Sequence, residues 1–125
     1  PKGLEINSVT RHIDIMPTIM ELLGINQKQE YKPMQGKSLL PFTKGKNEER
    51  IAYSETGGLG GPTPSPEVHN VFGVRTNKWK LTYNDTNKKK ELFNLEKDPQ
   101  ETDNLIGTEL ETEKFLWEEM EKLRK

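Results

Sequence analysis

The sequence predicts an α+β fold: a small four-stranded antiparallel sheet packed against a C-terminal helix, preceded by a separate helix near the N-terminus. Residues 78–84 alternate Trp79, Leu81 and Tyr83 against Lys78, Lys80 and Thr82, the pattern of a strand with one face buried. Leu110, Leu116, Trp117, Met120 and Leu123 supply an apolar stripe at helical spacing near the C-terminus. The third observation is the run from Asp14 to Gly24, in which an N-cap residue, a proline in the first turn and a closing glycine bracket Ile15, Ile19, Leu22 and Leu23.

Taken in order, the helix over 14–24 presents an apolar face that requires a body to dock on. From Arg50 onward strand signals dominate, over 51–55, 68–76, 78–84 and 91–95. Only Thr76 and Asn77 separate the second and third strands, which predicts a tight hairpin. The polar run 85–90, ending in Lys88, Lys89 and Lys90, reads as a solvated turn into the fourth strand. Between the first two strands, 57–66 holds four glycines and three prolines, too poor in donors for a sheet interior, so a mobile loop is expected. At the last helix Thr108 and Glu111 form a Thr-x-x-Glu capping box, and Trp79 is expected to pack on Trp117 in the core.

Composition narrows the function. The 125 residues are one domain's worth, 30% hydrophobic and 31% charged, a thin core for an independent globule. With 19 basic and 20 acidic residues interspersed, nothing resembles the one-sided basic surface that captures phosphate backbones, so nucleic acid is not an expected partner. No apolar run reaches the roughly 20 residues of a membrane span. The start has no Met and no signal-peptide pattern, as expected of an excised piece. With zero cysteines, redox chemistry does not indicate a compartment, leaving periplasmic, secreted and cytoplasmic settings open.

The run Glu91-Leu92-Phe93-Asn94-Leu95-Glu96-Lys97-Asp98-Pro99-Gln100-Glu101-Thr102-Asp103-Asn104-Leu105 resembles the C-terminal signature of sulfatases, with Phe93 and Asn94 standing for the usual Tyr and Asp. His12 to Ile25 is similar to that family's Val-Asp-x-x-Pro-Thr-x-x-x-Leu-x-Gly segment, and Gln35 to Pro41 to its Gly-x-Ser-Leu-x-Pro linker. The resemblance implies that residues 1–45 close a large catalytic domain, supplying its last helix and a linker, and that 46–125 form the C-terminal subdomain. It implies a parent that hydrolyses sulfate esters with a formylglycine nucleophile and a calcium ion. Neither group is expected in this chain: no residue opens a Cys/Ser-x-Pro-x-Arg motif, since Ser38 is followed by Leu39-Leu40-Pro41 and Ser65 by Pro66-Glu67-Val68, and the resemblance places the calcium ligands in the catalytic body, upstream of these residues. The implied partners are the missing N-terminal catalytic domain and a sulfated small molecule or glycan, with self-association of the chain through its uncovered helix. Two rival readings stay open: the tail of a phosphonate or phosphate ester hydrolase, and a non-enzymatic interaction domain.

Two residues are the candidates for substrate binding. His69 opens the strand after the glycine-proline loop, and histidine titrates near neutrality. Arg75, in Val74-Arg75-Thr76-Asn77-Lys78-Trp79-Lys80, matches the family's Val-Arg-Thr-x-x-x-Lys, and its planar fork suits sulfate or carboxylate. The competing role for Arg75 and Lys80 is an ion pair with the catalytic body. His12 reads as an edge residue. Asp98, Glu101 and Asp103 could tempt a calcium assignment, but Asp98-Pro99 fits a capped turn and helix start.

Overall fold

The structure, a computed structural model, describes residues 3–25, 34–56 and 71–124. It divides into two compact units, 1–50 and 51–125.

In the first unit a 3₁₀ turn, His12–Asp14, leads into α1, Ile15–Leu22. Pro17 is buried in the first turn of α1, where its missing N–H leaves nothing unpaired. The helix stops at Gly24, whose φ of +66° is the left-handed conformation glycine adopts without penalty. The Gly24 N–H then bonds the Glu21 carbonyl at 3.2 Å and the Ile25 N–H the Met20 carbonyl at 2.9 Å, a Schellman ending. A short helix, α2, Leu40–Thr43, follows the linker.

Asp14 sits at the N-cap position of α1, but its side chain makes no cap bond, contrary to the sequence expectation. It is claimed elsewhere. Its Oδ1 accepts from Arg11 Nη2 (2.8 Å) and the Lys37 amide (3.0 Å), and its Oδ2 from the Arg11 amide (3.1 Å) and Arg50 Nη1 (3.1 Å). Arg50 also donates to the carbonyls of Lys37 (3.0 Å) and Ser38 (2.9 Å), with Phe42 4.4 Å beneath its guanidinium. Thr18 Oγ1 donates to the Asp14 carbonyl and accepts from the Leu39 amide. Gly36 lies so close to α1's entry that a Cβ there would overlap the Ile13 carbonyl.

The interior of this unit is therefore largely ionic. Asp14, Pro17, Phe42 and Arg50 are its buried residues among those described. The aliphatic side chains are outside: Ile13, Ile15, Met16, Ile19, Leu22 and Leu23 are all 44–67% exposed.

The second unit has the conventional arrangement. Strands β1 (Ala52–Thr56), β2 (Val71–Arg75), β3 (Trp79–Asn84) and β4 (Lys89–Asn94) form an antiparallel meander in sequence order, as the sequence predicts. Helix α3, Leu110–Leu123, lies across β2 and β3. Phe72, Val74, Leu81, Tyr83 and Leu92 from one sheet face meet Leu116 and Met120 from α3. Val74, Leu81, Leu92, Leu116 and Met120 are fully shielded, which strand alternation and the helical stripe together require.

Four local expectations are corrected. Thr108 and Glu111 do not form a capping box: α3 begins at Leu110, Thr108 Oγ1 donates to the Leu105 carbonyl, and the Glu113 carboxylate reaches back to the Gly107 amide. Gly107, at φ +79°, turns the chain and delays the helix start. Leu110 consequently leaves the apolar stripe and is exposed. Lys89 and Lys90 are not in the solvated turn, because β4 starts at Lys89. Lys90 runs along the helix instead, its Nζ 3.9 Å from the Trp117 ring centroid and 3.6 Å from Glu113. Trp117 takes Tyr83, not Trp79, as its aromatic partner, edge-on at 4.9 Å. The loop expected at 57–67 lies outside the described residues.

Candidate functional site

The signature run folds back on itself, and its polar side chains are consumed in doing so. Asn94, buried at the end of β4, accepts the amides of Glu96 and Lys97 at 3.2 Å. Asp98 Oδ2 accepts the amides of Thr102 (2.7 Å) and Asp103 (2.8 Å), while Oδ1 takes the Thr102 hydroxyl. Those bonds, the Asp103 amide foremost, hold the Asp98 carboxyl below its usual pKa. The segment 98–101 is a turn and not the expected helix start. Asn104 Oδ1 then accepts the amides of Leu92 (3.0 Å) and Ile106 (3.1 Å), and the Leu105 amide donates to the Leu92 carbonyl at 2.8 Å. The outer edge of β4 is thereby closed, which removes an open strand edge.

Two of the three acidic residues singled out in this loop have partners within the protein. Asp98 caps the turn and Glu101 pairs with Lys80 at 2.6 Å. Among the described residues no group of three or more His, Asp or Glu side chains is placed to hold a metal ion.

The sheet face opposite α3 is the remaining candidate surface. Ala52, Arg75, Lys80 and Phe93 form one register row across it, and Ser54, Gly73, Thr82 and Glu91 the next. Thr76 fixes the hairpin beside Arg75, its hydroxyl accepting the amides of Lys78 and Trp79. Arg75 itself is exposed and has no hydrogen-bond or ion-pair partner among the described residues. Lys80, its register partner, is not available in the same way because Glu101 holds it. His69 lies outside the described residues. His12 is exposed in the 3₁₀ turn, away from the second unit's residues in sequence and with no catalytic group beside it in its own turn.

Residues 1–125 match the profile of the family described as N-sulphoglucosamine sulphohydrolase, C-terminal. The chain belongs to this sulfatase C-terminal family. Arylsulfatase K of Homo sapiens is 32% identical over 113 residues, covering 82% of this chain and 20% of its own length. The Bos taurus protein of the same name is 31% identical over 115 residues, covering 84% and 20%. The chain therefore spans about a fifth of these curated relatives. Among solved structures, BT1596, described as a 2-O GAG sulfatase, superposes with a TM-score of 0.62 at 27% identity, over 89% of this chain and 23% of that one. BT4656, solved with its substrate D-glucosamine-2-N,6-O-disulfate, gives a TM-score of 0.69 at 23% identity over the same shares, a likeness of fold.

The signature loop marks the family in the sequence, and the spacing of Arg75 to Lys80 singles out a residue that the structure leaves exposed. Sequence reasoning missed Arg50, an isolated arginine after Glu48 and Glu49, because only the tertiary fold brings it to Asp14 from 36 positions away. It also missed Glu101 as the partner of Lys80, for which the 21-residue separation gave no signal.

Proposed function

We propose that the chain is the C-terminal part of a hydrolase of sulfate esters, acting on a sulfated sugar, and that its sheet module walls the substrate cleft. The observation that carries the reading is the match to a sulfatase C-terminal family along the whole chain. The 27% identity to a 2-O GAG sulfatase supports a sulfated glycan as substrate class, and favours sulfate over phosphonate or phosphate esters.

The nucleophile and metal of such an enzyme belong to polypeptide outside these residues. A formylglycine needs a Cys or Ser opening its motif, and the chain has no cysteine and no serine in that setting. Among the described residues no three His, Asp or Glu side chains gather to hold a calcium ion, and Asp98 and Glu101 are committed to amides and a lysine. A formylglycine and a calcium ion held by other parts of such an enzyme would supply the nucleophile and offset the sulfate charge; this chain would contribute shape and contacts.

The inverted packing of the first unit supports a missing body. A unit that buries Asp14 and Arg50 and exposes nine large aliphatic residues among those described gains little from the hydrophobic effect alone. An apolar partner surface covers α1 in the complete protein, and a second copy of the chain takes its place when the body is absent. On the sheet face, the guanidinium of Arg75, unpaired among the described residues, is available for a substrate contact or for an ion pair with the catalytic body; the substrate contact is the one proposed, with His69 as the other candidate.

The test is to express the longer reading frame and measure sulfate release from sulfated mono- and disaccharides. The complete protein turns over at least one of them and the purified 125-residue chain none. Turnover by the chain alone, or phosphonate cleavage without sulfate release by the complete protein, overturns the proposal.

A further inference from the structure

Arg75 and Lys80 are register partners on the sheet face opposite α3, so two cationic side chains leave it side by side, with Cβ atoms about 4.5–5.5 Å apart. Their surroundings differ. Arg75 is exposed and unpaired among the described residues, whereas Lys80 Nζ holds the Glu101 carboxylate at 2.6 Å.

Glu101 makes this contact from a left-handed backbone, φ +57°, a region that side chains other than glycine, asparagine and aspartate rarely occupy. The turn that imposes the conformation is locked by Asp98 on the amides of Thr102 and Asp103. The carboxylate is thus delivered to Lys80 by a built turn and not by a freely moving surface chain. Beside the two cations the next row carries two hydroxyls and, at its β4 end, Glu91, whose carboxylate Lys89 holds at 2.7 Å. Ser54 and Thr82 flank Gly73 in the next register row, two residues or about 6.6 Å along the strand. A Cβ on Gly73 would sit 3.1 Å from Ser54 Oγ, so a larger residue would crowd the hydroxyl.

The geometry points to Glu101 as a specificity-determining residue for an anion-receiving position on this face. Arg75 takes one sulfate or carboxylate of a sugar in its planar fork, neighbouring hydroxyls meet the sugar's own, and Glu101 withholds Lys80 from a second anionic group. With Lys80 neutralised, the row presents one net positive charge where the sequence supplies two. A singly charged residue is accepted there, and a doubly charged one gains nothing from its second group. This inference rests on the reading of Arg75 as a substrate contact.

The test is an NMR titration of the 125-residue chain at fixed ionic strength, following the amides of residues 73–81 and the Arg75 side-chain N–H. The probes are N-acetylglucosamine 6-sulfate, with one sulfate, and glucosamine N,6-disulfate, with two. The monosulfate produces saturable shifts at these residues, and Arg75→Ala abolishes them. Glu101→Gln tightens the disulfate about fivefold relative to the monosulfate, the scale of one exposed charge contact. Glu118→Gln, an equal charge change on α3, leaves that ratio unchanged. If Glu101→Gln disturbs the turn, Glu101→Asn gives the same charge change in a residue suited to left-handed backbone. Absence of saturable shifts in the unaltered chain, their survival in Arg75→Ala, or an unchanged ratio in both Glu101 variants overturns the inference. Because these titrations use the chain itself, they are separate from the outcome of the sulfatase assay on the longer protein.

Discussion

Asn104→Ala tests whether the signature loop holds the sheet together. In the folded chain Asn104 Oδ1 accepts two amides, those of Leu92 and Ile106. They differ in what replaces the lost bond. Ile106 N–H lies in an exposed turn where water substitutes, at little cost. Leu92 is fully buried in the middle of β4, so its N–H loses a partner that water does not readily replace. An unsatisfied buried donor costs about 1–3 kcal/mol, and the expected destabilisation is about 2 kcal/mol. For a unit of 60–100 residues that corresponds to a fall in melting temperature on the order of 10 °C. Asn104→Asp keeps an oxygen in the same place and is expected within about 0.5 kcal/mol of the unaltered chain.

The assay is urea unfolding followed by tryptophan fluorescence, since Trp79 and Trp117 both lie against the second unit's core. The comparison between the two variants is decisive. Equal stability of Asn104→Ala and the unaltered chain would refute the edge-closing role, and so would an Asp variant as unstable as the Ala variant.

Leu116→Ala removes a fully buried side chain at the centre of the helix-sheet interface and is expected to cost about 2–5 kcal/mol by the same urea assay; a loss under about 1 kcal/mol would show that α3 is loosely docked. Burial pushes the Asp14 carboxyl up, but the hydrogen bonds from Arg11, the Lys37 amide and Arg50 outweigh it and bring the pKa down from 3.8 to about 2. Because the folded value is the lower one, Asp14's contribution to stability is complete above about pH 4 and is lost as the pH falls through about 2. Carboxyl carbon shifts of Asp14 across that range check it, and a midpoint near 3.8 would show that the network does not form.

The second unit was readable because its signals are local. Alternation over 78–84 gave both the strand and its buried face, since Leu81 and Tyr83 have no other way to reach a core from a pleated chain. The helix was readable from Leu116 and Met120 at i, i+4, but its start was not. Thr108-x-x-Glu111 has the composition of a capping box, yet Gly107 turns the chain first and Glu113 satisfies the turn from further along. The tryptophans were misassigned for a related reason: alternation fixes a face but not which neighbour on that face a helix residue meets. In the first unit, Asp14, Pro17 and Gly24 marked the helix correctly. Its ionic interior was invisible, because Asp14 and Arg50 meet only through a tertiary contact.

The signature loop marks the family without carrying its chemistry, and the physical reason lies in the loop's hydrogen bonds. Asn94, Asp98 and Asn104 are a spacing of acceptors that lets a dozen residues turn back and close a strand edge, and every acceptor is used by a neighbouring amide. Such a motif is distinctive in sequence because these three side chains have fixed local tasks, and for the same reason their acceptor oxygens serve the turn. Arg75 is the opposite case. Little beyond its spacing to Lys80 distinguishes it, but its guanidinium is exposed and unpaired among the described residues. Glu101 joins the two: it belongs to the loop, and its carboxylate reaches the row where Arg75 stands. The loop thus reaches the candidate site through one ion pair, which is why its charge, and not its fold, is the quantity to vary.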